Sequence, residues 1–323
     1  MSDDLRAVAL GGGHGLYASL SALRRVTPDV TAVVTVADDG GSSGRLRREL
    51  GSLPPGDLRM ALAALAGDDE HGRLWARLLQ HRFGGSGALA GHPVGNLLLA
   101  GFAEVTDDPV RGLAEVGRLL GSTGRVLPMS TTPLQIVAEV ASTDPDDPVP
   151  VRTIRGQVAV ATTPGRVRSV SLRPGDARAC PEALTAIAEA DVVLLGPGSW
   201  FSSVLPHLLL PDLRAALVDT PARVIVVLNL AEQSGETDGF SAAEHLEVLA
   251  DHAPDLRLAV VLADESAVAA GTGAQRSLLR AAESAGARLV QTPLAAQDGS
   301  PRHDVTRLAA ALSSVVRDRP SGP

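Results

Sequence analysis

Short hydrophobic runs alternate with helical patterns along most of the chain. Residues 5–10 and 30–36 are aliphatic and β-branched runs with the length of buried strands. Between them, Leu16, Leu20 and Leu23 recur at the spacing of one helix face. A strand, a glycine-rich turn, a helix and a second strand form the βαβ unit of a parallel sheet.

The same alternation returns in the last third of the chain, where strands are predicted at residues 192–195, 224–228, 258–262 and 289–291. Helical patterns occupy residues 58–65, 74–81, 94–105, 110–120 and 305–316. We therefore predict an α/β fold with a Rossmann-like, doubly wound and mainly parallel sheet, and helices on both of its faces.

The middle of the chain has a different pattern. Four short β-rich segments, at residues 134–140, 149–154, 158–162 and 167–172, are separated by Pro, Asp or Gly, and residues 143–148 form a turn or surface loop. We expect a β-hairpin-rich insertion at about residues 130–175. It lies inside a single domain over residues 1–318, with a frayed tail at residues 319–323.

The amino-acid composition excludes several classes of function. The net charge of −8 and an aromatic content of 2% are unlike those of nucleic-acid-binding proteins, so no nucleic-acid partner is expected. The chain contains no lysine, which excludes a Walker-A lysine and Schiff-base catalysis. The single cysteine, Cys180, is expected to be a packed residue. No signal peptide or hydrophobic run long enough for a membrane span is visible, and these features predict a cytoplasmic protein.

Residues 33–47 combine, at the end of one strand, three kinds of group that are used to bind phosphates. Two carboxylates can hold a divalent cation, glycine-rich backbone can cradle an anion, and arginine can bind it in a bidentate manner. The residues concerned are Asp38, Asp39, Gly40, Gly41, Ser42, Ser43 and Arg45. If a metal is present, Mg²⁺ on Asp38 and Asp39, or on Asp57, is the chemically sensible choice.

Further candidates lie at other strand ends and helix starts. The first glycine-rich turn (Gly11, Gly12, Gly13, His14, Gly15) fits a phosphate at a helix N-terminus, a dinucleotide, or a turn with no ligand. Asp57 can cap a helix, bind a ligand, or do both. The remaining candidates are Arg59, Asn96, Gly196, Pro197, Gly198, Ser199, Asn229, Glu236, Thr237 and Arg302. Arg302 is a candidate diphosphate partner, and Asn96 and Asn229 are candidates for reading a base or a sugar.

Taken together, these blocks resemble the gluconeogenesis factor family, which is related to the 2-phospho-L-lactate transferases. The resemblance rests on the sequence blocks at residues 11–16, 31–47, 54–59, 94–102, 196–211, 233–239 and 302–304. It implies a regulatory protein that binds a UDP-sugar such as UDP-N-acetylglucosamine and links carbon metabolism to cell-wall synthesis and cell shape. Proteins of cell-wall synthesis or signalling, and a second copy of the chain, are candidate partners.

Three alternatives stay open. The first is a Mg²⁺-dependent transferase of the 2-phospho-L-lactate transferase type, acting on a nucleotide diphosphate-linked substrate. The second is an NAD(P)-linked oxidoreductase, although the sequence offers no convincing acid for hydride transfer. The third is a scaffold protein for which the nucleotide is only a switch.

Overall fold

The structure is a computed structural model that describes residues 5–142, 149–233, 236–237, 239–268 and 271–317. Its strands are β1 (Arg6–Gly11), β2 (Asp29–Val34), β3 (Gly124–Pro128), β4 (Gln135–Ala141), β5 (Val151–Arg155), β6 (Arg166–Arg173), β7 (Val192–Leu195), β8 (Arg223–Val227), β9 (Val260–Asp264) and β10 (Arg288–Thr292). The predicted turn at residues 143–148 and the predicted tail at residues 319–323 lie outside the described residues. The single-domain assignment stays a prediction.

The helices are α1 (Gly13–Leu23), α2 (Gly41–Leu50), α3 (Pro55–Leu65), α4 (Glu70–Gln80), α5 (Val94–Thr106), α6 (Pro109–Leu119), α7 (Gln157–Thr162), α8 (Pro181–Ala188), α9 (Pro206–Leu209), α10 (Pro211–Asp219), α11 (Ala242–His252), α12 (Gly273–Ser284) and α13 (Val305–Arg317). A π-helical turn, Trp200–Val204, precedes α9. Helix α1 packs against α3 and α13, and α11 packs against α12.

Seven strands form one parallel sheet in the order β10-β9-β8-β7-β1-β2-β3. The central strands are almost entirely buried, since all four residues of β7 and five of the six in β1 and in β2 are buried. This explains why they read as continuous aliphatic runs rather than as alternating patterns. The predicted doubly wound parallel sheet is confirmed.

The insertion contains a second, antiparallel sheet in the order β5-β4-β6. The predicted strand at residues 158–162 is wrong, because those residues lie in α7. Gly156 turns the chain at a φ of 96° just before this helix, and the Val158 amide donates a hydrogen bond of 3.1 Å to the Asp39 carboxylate. A carboxylate from outside the segment thus caps the helix, and six residues carry too little periodic signal to reveal it.

Strand β1 marks the point at which the winding of the main sheet reverses. It pairs with β2 on one side and with β7 on the other, and β8, β9 and β10 extend away from β2. In open parallel sheets, ligands bind in the crevice beyond the carboxyl ends of the strands at such a reversal. A ligand-binding site is therefore expected at the carboxyl ends of β1 and β7.

Candidate functional site

The glycine-rich turns after β1 and β7 are in direct contact. A Cβ atom on Gly15 would lie 2.1 Å from the carbonyl oxygen of Pro197, so no side chain fits at position 15 without moving the backbone. Pro197 follows Gly196 through a cis peptide bond. The contact brings together two loops that are more than 180 residues apart in the sequence and forms the floor of the crevice.

A cavity of about 680 Å³ opens above this floor. It lies between the first turns of α1 and α13 and the loops that follow β7 and β8. Six predicted site residues line it: His14, Gly15, Pro197, Gly198, Asn229 and Arg302. The structure thus brings residues of these two glycine-rich turns together with Asn229 and Arg302.

Asn229 is held firmly at the edge of this floor. Its Oδ1 accepts from the Gly198 amide and its Nδ2 donates to the Gly198 carbonyl, each over 2.9 Å. Gln233 extends the network, since its Oε1 accepts from the Trp200 amide (3.1 Å) and its Nε2 donates to the Ser199 hydroxyl (3.3 Å). Side chains that satisfy one another in this way give the cavity a fixed outline.

Glu236 and Thr237 lie behind the cavity rather than on it. The Glu236 carboxylate accepts from the Phe201 amide (3.2 Å) and from the Ser202 hydroxyl (2.6 Å), at the start of the π-helical turn. The Thr237 hydroxyl accepts from the Gln233 amide. Burial raises the pKa of Glu236, and the hydrogen bond from Ser202 opposes that rise. The start of the π-helical turn is therefore occupied by a carboxylate of the chain itself.

The wall formed by residues 301–306 carries both charged and neutral groups. Arg302 is exposed and pairs with Asp298 over 2.9 Å. Burial lowers the pKa of His303 to about 4, so this imidazole is neutral at physiological pH. Asp304 caps α13 by accepting from the Thr306 and Arg307 amides at 2.8 and 2.9 Å.

The predicted residues that follow β2, together with those in α3 and α5, form a second group, on the β2 side of the first glycine-rich turn. A hydrogen-bond chain runs from the buried Arg59 to Asn96 (2.9 Å), from Asn96 to the Ser42 hydroxyl (3.0 Å), and from there to Nδ1 of His92 (2.6 Å). The Ser43 hydroxyl accepts from the Gly56 amide at 3.0 Å. Asn96 is thus committed to an internal network and lies apart from the cavity.

Asp38 and Asp57 are the acidic members of this second group. A Cβ on Gly12 would lie 2.5 Å from the Asp57 carboxylate, and a Cβ on Gly56 would lie 2.8 Å from that of Asp38. Burial first, and the charge of Asp38 second, raise the pKa of Asp57 to about 7, while a backbone hydrogen bond from Gly13 and the Arg59 charge oppose the shift. Asp57 lies in the first turn of α3, whose N-cap is Pro54.

Asp39 and Arg45 have different neighbours. Asp39 turns away from Asp38 toward α7, where its carboxylate accepts from the Val158 amide. The Arg45 guanidinium donates to the carbonyl oxygens of Ala88 and Ala90, and so supports the loop before α5. Among the described residues, no three His, Cys, Asp or Glu side chains are grouped closely enough to hold a metal ion by themselves.

The carboxylates nevertheless include a pair with the chemistry that Mg²⁺ prefers. Mg²⁺ is commonly held by one or two carboxylates together with substrate phosphates, rather than by a cage of protein ligands. Asp38 and Asp57 fit this description better than Asp38 and Asp39, because each raises the energy of the other's charge and a cation would relieve that repulsion.

Several residues that line the cavity were not among the predicted site residues, and they include Tyr17, Gln233 and His303. Tyr17 is the only tyrosine in the chain and lies on the cavity-facing side of α1, with 37% of its surface exposed. Its position one turn into the helix that follows the glycine-rich turn is the signal that could have identified it. Gln233 and His303 lie within the sequence blocks at residues 233–239 and 302–304, but nothing in their local sequence separates them from ordinary loop residues.

Comparison with known proteins agrees with this architecture. A family model described as 2-phospho-L-lactate transferase CofD matches residues 7–295. The chain belongs to this family. The CofD-family match covers both groups of candidate residues except Arg302 and the wall around it.

Proteins named as gluconeogenesis factors are similar to this CofD-family chain over most of its length. A Mycobacterium tuberculosis protein provisionally named gluconeogenesis factor is 59% identical over 308 residues, which cover 95% of this chain and 89% of the relative. The gluconeogenesis factor of Bacillus subtilis is 37% identical over 252 residues, covering 78% of this chain and 76% of the relative. The predicted resemblance to gluconeogenesis factors and 2-phospho-L-lactate transferases is therefore confirmed.

A solved structure shares the fold. The crystal structure of a member of the UPF0052 family from Bacillus halodurans is 34% identical, with a TM-score of 0.83, and the alignment covers 95% of this chain and 98% of the other. Within the described residues, no helix of the CofD-family chain has both the length and the apolar composition needed to cross a bilayer.

Proposed function

We propose that this CofD-family chain binds a UDP-sugar, such as UDP-N-acetylglucosamine, in the cavity between β1 and β7. The observation that carries the proposal is the 680 Å³ cavity at the reversal point of the sheet, with its rigid glycine floor and the Arg302 guanidinium in its wall. Its volume is in the range of about 300–1,000 Å³ typical of small-molecule sites. We propose Tyr17 as the face for the base and Arg302 as the cation for the diphosphate.

The cavity is better suited to binding than to turnover. Its two acidic lining residues are engaged by the backbone: Glu232 accepts from the Gly239 amide, and Asp304 caps α13. Its buried imidazole, His303, has a low pKa and makes a poor general base at neutral pH. These features favour a binding protein, and we propose that it is a cytoplasmic regulator that passes ligand occupancy to partners in cell-wall synthesis and thereby links carbon metabolism to cell shape.

A Mg²⁺-dependent transferase of the 2-phospho-L-lactate transferase type is the second candidate function. It is favoured by the family match and by the Asp38–Asp57 pair beside the first glycine-rich turn. Mg²⁺ held there would neutralise the charge of a transferred phosphate-linked group. In that case Asp57 and Asp38 would hold the cation, and Arg59 would contribute a fixed positive charge behind it.

Calorimetric titration of UDP-N-acetylglucosamine, with and without Mg²⁺, tests both functions when the recovered ligand is examined by mass spectrometry. For the regulatory function we expect intact ligand, with binding about tenfold weaker in Arg302→Gln because a charge-assisted hydrogen bond contributes about 1.5–3 kcal/mol. Arg280→Gln on the exposed face of α12 is the matched control and should bind as the original chain does.

The outcomes separate the candidates. Release of UMP or UDP that depends on Mg²⁺ and is lost in Asp57→Asn would show turnover of the nucleotide sugar and would favour an enzyme over the regulatory protein. Failure of the original chain to bind the nucleotide sugar would refute the regulatory proposal, and equal affinity in Arg302→Gln would refute the assignment of Arg302.

A further inference from the structure

A second cavity, of about 270 Å³, lies beside the first. It is bounded by the C-terminal half of α1, the end of α3 and the first turns of α4. Three arginines line it, Arg24, Arg25 and Arg73, with a single acidic residue, Asp68. In a chain with a net charge of −8, this is a local concentration of positive charge. We call it the arginine groove.

The acid neutralises only one of the three cations. Asp68 pairs with Arg24 over 2.9 Å, and Arg24 also donates to the Ala64 carbonyl at 3.0 Å. Arg24 therefore has a structural role. Arg25 donates to the uncharged hydroxyl of Thr306 at 2.9 Å, and the Arg73 guanidinium makes no ion pair with any residue that the structure describes. Two positive charges remain available at the groove.

We propose that the arginine groove is an anion site that binds a phosphate or carboxylate group of a small metabolite. Guanidinium groups bind both anions through paired hydrogen bonds, and a concave surface strengthens the local potential. Arg73 and Arg25 are the residues that contact the anion, and Arg24 shapes the groove. The groove shares only Tyr17 with the nucleotide-sugar cavity, and the proposal does not depend on the function proposed for that cavity.

The groove is nevertheless adjacent to that cavity. Tyr17 lines both spaces, and Thr306, which lines the first, is the partner of Arg25 in the second. At a rise of about 1.5 Å per residue, Arg24 lies roughly 10 Å along α1 from Tyr17. The anion can therefore be the distal group of an extended ligand held in the first cavity, or part of a separate metabolite.

Calorimetric titration with inorganic pyrophosphate tests the groove directly. The titration is done in saturating UDP-N-acetylglucosamine, so that the first cavity is filled, and is repeated without it. We expect Arg73→Gln and Arg25→Gln each to weaken pyrophosphate binding about fivefold or more. Arg77→Gln, one turn further along α4 and outside the groove, is the matched control. Equal affinity in all three variants and the original chain would overturn the proposal.

A competition experiment identifies the source of the anion. If pyrophosphate competes with UDP-glucuronate, which carries a sugar carboxylate, but not with UDP-N-acetylglucosamine, the anion belongs to the extended ligand. If it competes with neither while the arginine variants still lose affinity, the groove serves a separate metabolite. If no nucleotide sugar binds and the arginine dependence persists, the cavity proposal fails and the groove stands.

Discussion

The glycine-rich ends of β1 and β7 look alike in sequence, but the carboxylates beside them have different environments. Beside β1, Asp57 contacts the first turn of α1 and faces a second carboxylate, Asp38. Beside β7, Glu236 contacts the π-helical turn and accepts hydrogen bonds from Ser202 and Phe201. The same backbone motif thus supports an ionisable centre at one strand end and a structural contact at the other.

The difference depends on what surrounds each carboxylate. Burial raises the pKa of both groups, but the neighbours of Glu236 are hydrogen-bond donors, whereas Asp57 also experiences the charge of Asp38. A glycine-rich strand end therefore predicts an anion-binding position without indicating whether the anion is a ligand or a side chain. Three carboxylate substitutions test this comparison.

Asp57→Asn is expected to have the largest effect, visible as a change in the pH dependence of stability. The folded pKa of about 7 lies above the ordinary value of 3.8, so the folded protein keeps a proton that the unfolded chain releases between these pH values. The contribution of Asp57 to the free energy of unfolding of the original chain should therefore fall by up to about 4 kcal/mol as pH rises from about 4 to 7, and it is constant above pH 7.

Urea unfolding across pH 4–8 measures this dependence. The free energy of unfolding of Asp57→Asn should not show this fall with pH. The stability of the variant relative to the original chain should therefore rise as pH rises. Asp298→Asn, at an exposed carboxylate whose pKa hydrogen bonds from Ser300 lower to about 2, is a control that should keep the decline. Parallel curves for Asp57→Asn and the original chain would show that Asp57 ionises normally.

Glu236→Ala should destabilise the protein at all of these pH values, by about 2–3 kcal/mol. The substitution leaves the Phe201 amide and the Ser202 hydroxyl without their acceptor in a buried setting. Urea unfolding at pH 7 provides the measurement, and Glu247→Ala on the exposed face of α11 is the control, with an expected change within about 0.5 kcal/mol. A loss as small as that of the control would mean that Glu236 is not a structural contact.

Asp39→Ala should have the smallest effect, about 1 kcal/mol, because Asp39 caps the short helix α7 from an only partly buried position. The loss of stability should be confined to the insertion. Hydrogen exchange at the Val158 amide should become about fivefold faster, whereas the amides of β1 should be unchanged. Unaltered exchange at Val158 would show that the capping contact does not anchor the insertion.

Much of the fold is predictable because buried parallel strands are continuous aliphatic runs. The strands at residues 6–11, 29–34 and 192–195 match predicted runs to within two residues at each end. Helix α7 is not predictable in this way, since it depends on a cap from Asp39, more than one hundred residues away. Local patterns carry no information about such a contact.

The predicted site residues fall into two groups, and local sequence patterns do not reveal this division either. Gly15, Gly198 and Arg302 line one cavity, whereas Asp38, Arg59 and Asn96 lie on the far side of the first glycine-rich turn. All of them follow strands or begin helices, so the sequence places them at one edge of the sheet without specifying which way each side chain turns. The partition depends on packing between distant segments.

The contact between Gly15 and Pro197 limits how ligand choice can diversify among proteins that share this fold. A chain that retains this backbone approach cannot gain a side chain at position 15, so the floor contributes only peptide groups to recognition. Those groups are the same whatever ligand is present. Evolution of a new preference must therefore act through the walls, where positions such as 14, 17 and 302 carry side chains that can be exchanged without disturbing the sheet.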